Sequence, residues 1–252
     1  MKYKNYIFDL YGTLIDIHTD ENEMMLWEFM VEYLKEHFGT ITIPENLKDD
    51  YIRICAEETD KLAAKNGSCY PEIKIEWVWQ RLIGCDCSDD EMRALCVAFR
   101  EKSRKKLVCY KNVHKVLSEI KSAGSHIYLL SNAQRLFTEK ELDDTGLTEY
   151  FDDIFISSDM GIKKPDAAFI NSLMKKHGLI KSETVMVGNE IKADIGSAIA
   201  ADVDGIYLNT YHHTPEELDA DLAACGYGDS NIELTIIDDG DDCFKSVISS
   251  PI

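Results

Sequence analysis

A chain of 252 residues is long enough for one compact domain, or for a core domain with a smaller one inserted. Its formal net charge of -19 argues against a nucleic-acid partner, because a phosphate backbone is met by a basic face, and no apolar run nears the ~20 residues that span a bilayer. An anionic substrate must be drawn in by a local cation or by backbone N–H groups.

From Met1 the chain runs straight into an apolar stretch, without the basic flank and long apolar block of a signal peptide, which points to a cytoplasmic protein. The eight cysteines (Cys55, Cys69, Cys85, Cys87, Cys96, Cys109, Cys225, Cys243) then read as reduced thiols. Cys85 and Cys87 look like half of a zinc site, but no second pair or His cluster completes it.

The first strand-like run, Tyr6 to Leu10, leads into Tyr11, Gly12, Thr13 and Leu14, so the carboxylate of Asp9 falls where an apolar strand gives way to a glycine turn. Alone, it reads equally well as a turn or capping Asp. From Ile17 to Lys105 the texture changes to apolar and aromatic residues at helical spacing, as in Met24, Trp27, Met30 and Leu34, and again in Trp77, Val78, Arg81 and Leu82. This block is expected to be an all-helical subdomain, with residues 1–16 and 106–252 forming the core. Ligands of open α/β sheets bind beyond the carboxyl ends of the strands, so an insertion leaving from the first strand end lies over that site as a cap.

Apolar runs of strand length recur at Ile127 to Leu130, Ile154 to Ile156, Thr184 to Val187 and Gly205 to Leu208, with helical segments between them. Val113, Val116, Leu117 and Ile120 give one of these segments a buried stripe. The alternation predicts βαβ units and a doubly wound parallel sheet, an α/β fold.

Three of these runs end in polar residues. Ser131, Asn132 and Ala133 follow the first, offering a hydroxyl, an amide and backbone N–H groups that can hold an oxyanion. After the next comes Gly161, Ile162, Lys163, Lys164, Pro165, Asp166, an ammonium just before a proline-started helix. The third ends in Gly188, Asn189 and Glu190, followed by Asp194. With Asp9, four strand ends converge on one place.

This order and spacing resemble the four motifs of the haloacid dehalogenase-like (HAD) hydrolase superfamily, in the subgroup with a helical cap between motifs one and two. The resemblance implies a Rossmann-like core and a covalent mechanism in which Asp9 attacks the substrate and the aspartyl intermediate is hydrolysed. It makes Thr13 a hydrogen-bonding partner in motif one, Ser131 and Asn132 oxyanion or substrate ligands beside Ala133, and Lys164 the motif-three lysine that holds Asp9 ionised. Lys163 reads as a solvated surface charge. Mg²⁺ would be held by Asp9, the Tyr11 carbonyl, Asn189 and Asp194, with Glu190 as a compensating ligand or a simple helix N-terminal acid.

Two departures matter. The phosphatases of the superfamily carry a second Asp two residues after the nucleophile, a general acid; here that catalytic position is Tyr11, as in the 2-haloacid dehalogenases, whose halide leaves without a proton. Against a dehalogenase, Pro71 and Lys74 stand where its cap Arg is expected, and Gly188, Asn189 and Asp194 are spaced as in the phosphatases. The segment Ile75 to Arg81 resembles an aromatic dehalogenase helix but reads better as packing of the cap. The sequence therefore leads to a Mg²⁺-dependent phosphatase of a small anionic metabolite, with a 2-haloacid dehalogenase or a non-catalytic binding protein as alternatives, and with no nucleic-acid or membrane partner.

Overall fold

The computed structural model describes residues 1–238 and 243–249, the side chains of Cys243 and Ser249 excepted. Eight strands are described. β1 (Asn5–Phe8), β4 (His126–Ser131), β5 (Asp153–Ile156), β6 (Thr184–Gly188), β7 (Asp204–Leu208) and β8 (Leu234–Ile237) form one sheet in the order β5-β4-β1-β6-β7-β8. All its pairings are parallel, with β1 between β4 and β6. The doubly wound expectation holds, and β8 joins the five runs read in the sequence.

Alternation along β1 shows how both faces are covered. Tyr6 and Phe8 point into a cluster with Val113, Leu117 and Ile120 of α5 (Val113–Ser122) and Phe244 of α11 (Cys243–Ser249). Ile7 points the other way, to Phe169 and Leu173 of α8 (Ala167–His177) and Ala198 of α9 (Gly196–Ala201). A sheet buried on both faces reads as continuous apolar runs, which is why these strands were legible.

Between β2 (Ile15–Thr19) and β3 (Arg104–Cys109) lie four helices: α1 (Met24–Phe38), α2 (Pro44–Asn66), α3 (Ile75–Ile83) and α4 (Asp89–Ser103). They share their own core, in which the rings of Trp27, Tyr51, Trp79 and Phe99 pack in tilted and edge-on pairs with centroids 5.1 to 5.8 Å apart. On α3 the residues Ile75, Val78, Trp79 and Ile83 are buried, while Arg81 pairs with Glu57 and Glu58 at the surface, so this helix does serve packing. β2 and β3 pair antiparallel and carry the chain out of the core and back. The expected boundaries at 16/17 and 105/106 thus run through this two-stranded sheet rather than through loops. Among the described residues, no helix is long and apolar enough to cross a membrane.

Candidate active site

The turn after β1 begins two residues earlier than expected: Asp9 and Leu10 lie beyond the strand. Asp9 N–H still donates to the Val187 carbonyl, but the Leu10 carbonyl collects the N–H groups of Leu14 and Ile15 at 2.8 and 3.0 Å, which closes the chain into a turn. Gly12 sits at φ +84°, and a Cβ there would fall 2.3 Å from the Asn189 amide nitrogen, so only glycine fits between the two strand ends. Gly188 is tighter still, since its Cβ would meet the Asp194 carboxylate at 2.1 Å.

Lys164 is the centre of the site. Its Nζ donates to Asp9 Oδ1 and to Asp194 Oδ1, each at 2.6 Å. Burial opposes its charge, but Asp194 and Asp9 outweigh that and raise its pKa above the usual lysine range. Burial pushes Asp194 up to about 7, with Asp9 adding to the rise and Lys164 opposing it. The other Asp194 oxygen accepts the Glu190 N–H at 2.9 Å. The Thr13 hydroxyl lies 3.1 Å from Asp9 Oδ2 and 3.0 Å from Asn189 Oδ1, donating to one at a time. Asp9, Thr13, Lys164, Asn189 and Asp194 are thus brought into one buried cluster. Glu190 is not part of it: its side chain is exposed.

Other expected site residues have different work in the structure. Asn132 uses both ends of its amide on Lys164, its Oδ1 accepting the Lys164 N–H at 2.7 Å and its Nδ2 donating to the Lys164 carbonyl at 3.1 Å. The Ala133 N–H is taken by Ser157 Oγ at 2.8 Å. Ser131 Oγ, in contrast, is buried and has no partner, as is the Asn189 amide nitrogen. The helix after Lys164 begins at Ala167 rather than at Pro165, because the Asp166 side chain caps it by accepting the Ala168 N–H. Lys163 is half-buried and lies 3.6 Å from Glu72, away from the Asp9 cluster, in keeping with the surface role read for it.

Tyr11 departs furthest from expectation. Its hydroxyl donates to Glu141 Oε2 at 2.5 Å and lies 3.1 Å from the Thr138 hydroxyl, both on α6 (Arg135–Asp144). Burial, with the charge of Glu141, holds the phenol above its ordinary range. Glu141 is fully buried and also accepts from Arg100 Nε at 2.8 Å and from Arg104 at 3.4 Å. Arg100, on α4, is therefore an arginine of the inserted helices that the sequence reading missed. It borders a cavity of about 370 Å³ whose wall also includes Tyr11, Asn132 and Ala133, the neighbours of Asp9 and Ser131. No signal marked it: helix arginines are usually solvated, and its partner lies 41 positions away.

Residues 6–208 match the family described as haloacid dehalogenase-like hydrolase. The chain belongs to this family. It is similar to the pyrimidine 5'-nucleotidase PynA of Streptococcus pneumoniae, 25% identical over 213 residues that cover 84% of this chain and 86% of that one. In fold it resembles a HAD phosphatase from Thermococcus onnurineus, with a TM-score of 0.58 at 16% identity, covering 97% of each chain. It also resembles the L-2-haloacid dehalogenase of Xanthobacter autotrophicus, with a TM-score of 0.55 at 15% identity, covering 99% of this chain and all of that one. HAD hydrolases of both reaction types thus share this fold.

Proposed function

We propose that this HAD hydrolase is a phosphomonoesterase that acts on a small phosphorylated metabolite through an aspartyl phosphate at Asp9, with Mg²⁺ bound. The observation that carries the reading is the difference in access within the charge cluster. The Asp9 side chain keeps 11% of its surface exposed, whereas Lys164 and Asp194 keep 1% each. One carboxylate is presented, ion-paired with the ammonium sealed beneath it.

An Asp9 oxygen forms a bond to phosphorus as the ester P–O bond breaks. The departing oxygen leaves with the bonding pair and takes its proton from water, because the Tyr11 hydroxyl is engaged with Glu141. Water then attacks phosphorus, releasing phosphate and returning Asp9 to a carboxylate. We assign Ser131 Oγ to the phosphoryl oxygens, since a buried hydroxyl without a partner lacks only an acceptor. Asn132 is a positioning residue that fixes Lys164 through its main chain.

The donor chemistry suits a hard cation. Among the described residues, no three His, Cys, Asp or Glu side chains are grouped to hold a metal, so Asp9 and Asp194 need the Asn189 amide oxygen and the Tyr11 carbonyl to complete an oxygen set. The Thr13 hydroxyl lies within reach of an oxygen of Asp9 and of Asn189, donating to one at a time, and the orphaned Asn189 nitrogen marks a polar environment that is incomplete. Bound there, Mg²⁺ would offset charge on the transferring phosphoryl group. A neutral amide in the set predicts weak binding. The four helices between β2 and β3, about residues 17–105, act in this reading as a cap that closes over the site and excludes water.

The dehalogenase reading shares Tyr11 but needs a cation for the haloacid carboxylate, and Arg100 is already held by Glu141. A screen of phosphate esters and 2-haloacids, with and without Mg²⁺, tests the choice: Mg²⁺-stimulated phosphate release is expected, and halide release without any phosphatase activity would overturn it. Mg²⁺ binding itself is expected as a rise in melting temperature at millimolar metal that Asp9→Asn weakens.

A further inference from the structure

The cavity beside the Asp9 turn has carboxyl groups in its wall, from Glu21 and Glu72, and one cation, Arg100. Glu72 accepts from Gln134 at 2.8 Å and lies 3.6 Å from Lys163. For Glu21, Arg100 is the charged neighbour, and burial raises its pKa from the ordinary carboxyl value. An arginine facing a cavity next to a hydrolytic site is ordinarily the group that receives an anionic substrate. Here two of its five N–H donors, and its charge, are already committed. Arg100 Nε and Nη2 lie 2.8 and 3.4 Å from the two oxygens of Glu141, a side chain with 1% exposure. Its guanidinium also lies over the rings of Tyr11 and Phe137, 5.7 and 5.3 Å from their centroids.

We propose that Glu141 is a specificity-determining residue: by holding Arg100 in a two-point ion pair it withdraws the cavity's one cation from substrate. The site then takes phosphate esters whose non-reacting end is uncharged and turns away those carrying a second anionic group. The proposal rests on the phosphatase reading for its substrate class, though its electrostatic content does not depend on that reading. A carboxylate entering the cavity would lose its water, find a guanidinium already neutralised and face Glu21. An uncharged polar group pays no such cost, and the Glu21 carboxyl and Tyr51 hydroxyl remain in the wall to meet it.

The test compares the full-length wild type with Glu141→Gln and with the double variant Arg100→Leu/Glu141→Gln. Glu141→Gln removes the charge while keeping nearly the same shape and an acceptor oxygen. Each is assayed with a pyrimidine 5'-monophosphate, whose nucleoside is uncharged, and with phosphoglycolate, which carries a carboxylate. Wild type should favour the nucleotide in kcat/KM by at least about tenfold, and Glu141→Gln should move the ratio at least about tenfold toward phosphoglycolate, mainly through KM. Arg100→Leu/Glu141→Gln should leave the wild-type ratio within about threefold, because it removes the cation together with the carboxylate that neutralises it.

A wild type that prefers phosphoglycolate, a folded Glu141→Gln with an unchanged ratio, or an Arg100→Leu/Glu141→Gln that selectively loses phosphoglycolate turnover would each overturn the proposal. If Glu141→Gln alone fails to fold, the ratio of the double variant decides. If no phosphate ester is turned over, the phosphatase reading fails by itself, and calorimetric titration with glycolate settles the inference. Binding gained only in Glu141→Gln supports it; binding to wild type, or to neither protein, overturns it.

Discussion

At Lys164 one ammonium serves two carboxylates, whereas at Glu141 one carboxylate serves two guanidiniums and a phenol. Both clusters are buried and both touch the turn that follows β1, the first through Asp9 and the second through Tyr11. In the first, negative charge exceeds positive, and the surplus rests on the one member that solvent reaches. In the second, each guanidinium is paired with a carboxylate of the protein, Arg100 with Glu141 and Arg104 with Glu141 and Asp144. Arg100 and Arg104 reach it from α4 and β3, and Glu141 from a helix of the core, so it joins the inserted helices to the sheet domain. A cluster left with an accessible, unshared charge is equipped for chemistry. One that is closed on itself sets geometry and local potential.

Removing the central charge should therefore hurt the first cluster more. Lys164→Met leaves Asp9 and Asp194 buried together without a cation, and breaking a buried pair in this way costs about 3–5 kcal/mol. Urea unfolding should show that loss, together with loss of turnover. Glu141→Gln keeps an acceptor for Arg100 next to a cavity that can admit water, so its cost should be nearer the ~1–3 kcal/mol of a charged hydrogen bond. Equal losses in the two variants would erase the distinction.

Tyr11→Phe sharpens the contrast further. It removes one hydrogen bond to Glu141, worth ~1–3 kcal/mol of stability, and should lower kcat by less than about tenfold. A loss of about 10²- to 10⁴-fold, the range for a general acid, would mean that the phenol takes part in proton transfer and that its place beside Glu141 is not the working one.

The chemical cluster was readable in the sequence and the structural one was not. Asp9, Lys164 and Asp194 each lie C-terminal to a strand with a glycine or proline within three residues, so local grammar marks them and parallel strand order brings them together. Arg100 and Glu141 lie inside charged helices, AFREKS and EKELDD, where nothing separates a buried pair from solvated ones. The roles of Asn132 and Ala133 were hidden for a related reason: an amide or N–H free in the sequence can be claimed by a distant main chain or hydroxyl, as Lys164 and Ser157 do here. β2, β3 and β8 escaped notice because they are only partly buried, so their apolar pattern is weak.

The smallest expected effect concerns the cavity between the clusters. Cys55 lines it, and burial pushes its thiol up to about 11, so it should alkylate more slowly than the exposed Cys69 and Cys85. Peptide mapping after iodoacetamide should show a further slowing at Cys55 alone when a slowly turned-over phosphate ester is present. Equal protection at all three sites would indicate a general stiffening and not an occupied cavity.

The central claim is that Asp9 becomes covalently phosphorylated. Rapid acid quench during turnover of a phosphate ester, followed by proteolysis and mass spectrometry, measures this directly. The account predicts a phosphoryl group on Asp9 in the wild-type peptide, and neither label nor turnover in Asp9→Asn. Sustained turnover in a folded Asp9→Asn, or a phosphoryl group found on another residue, would contradict it.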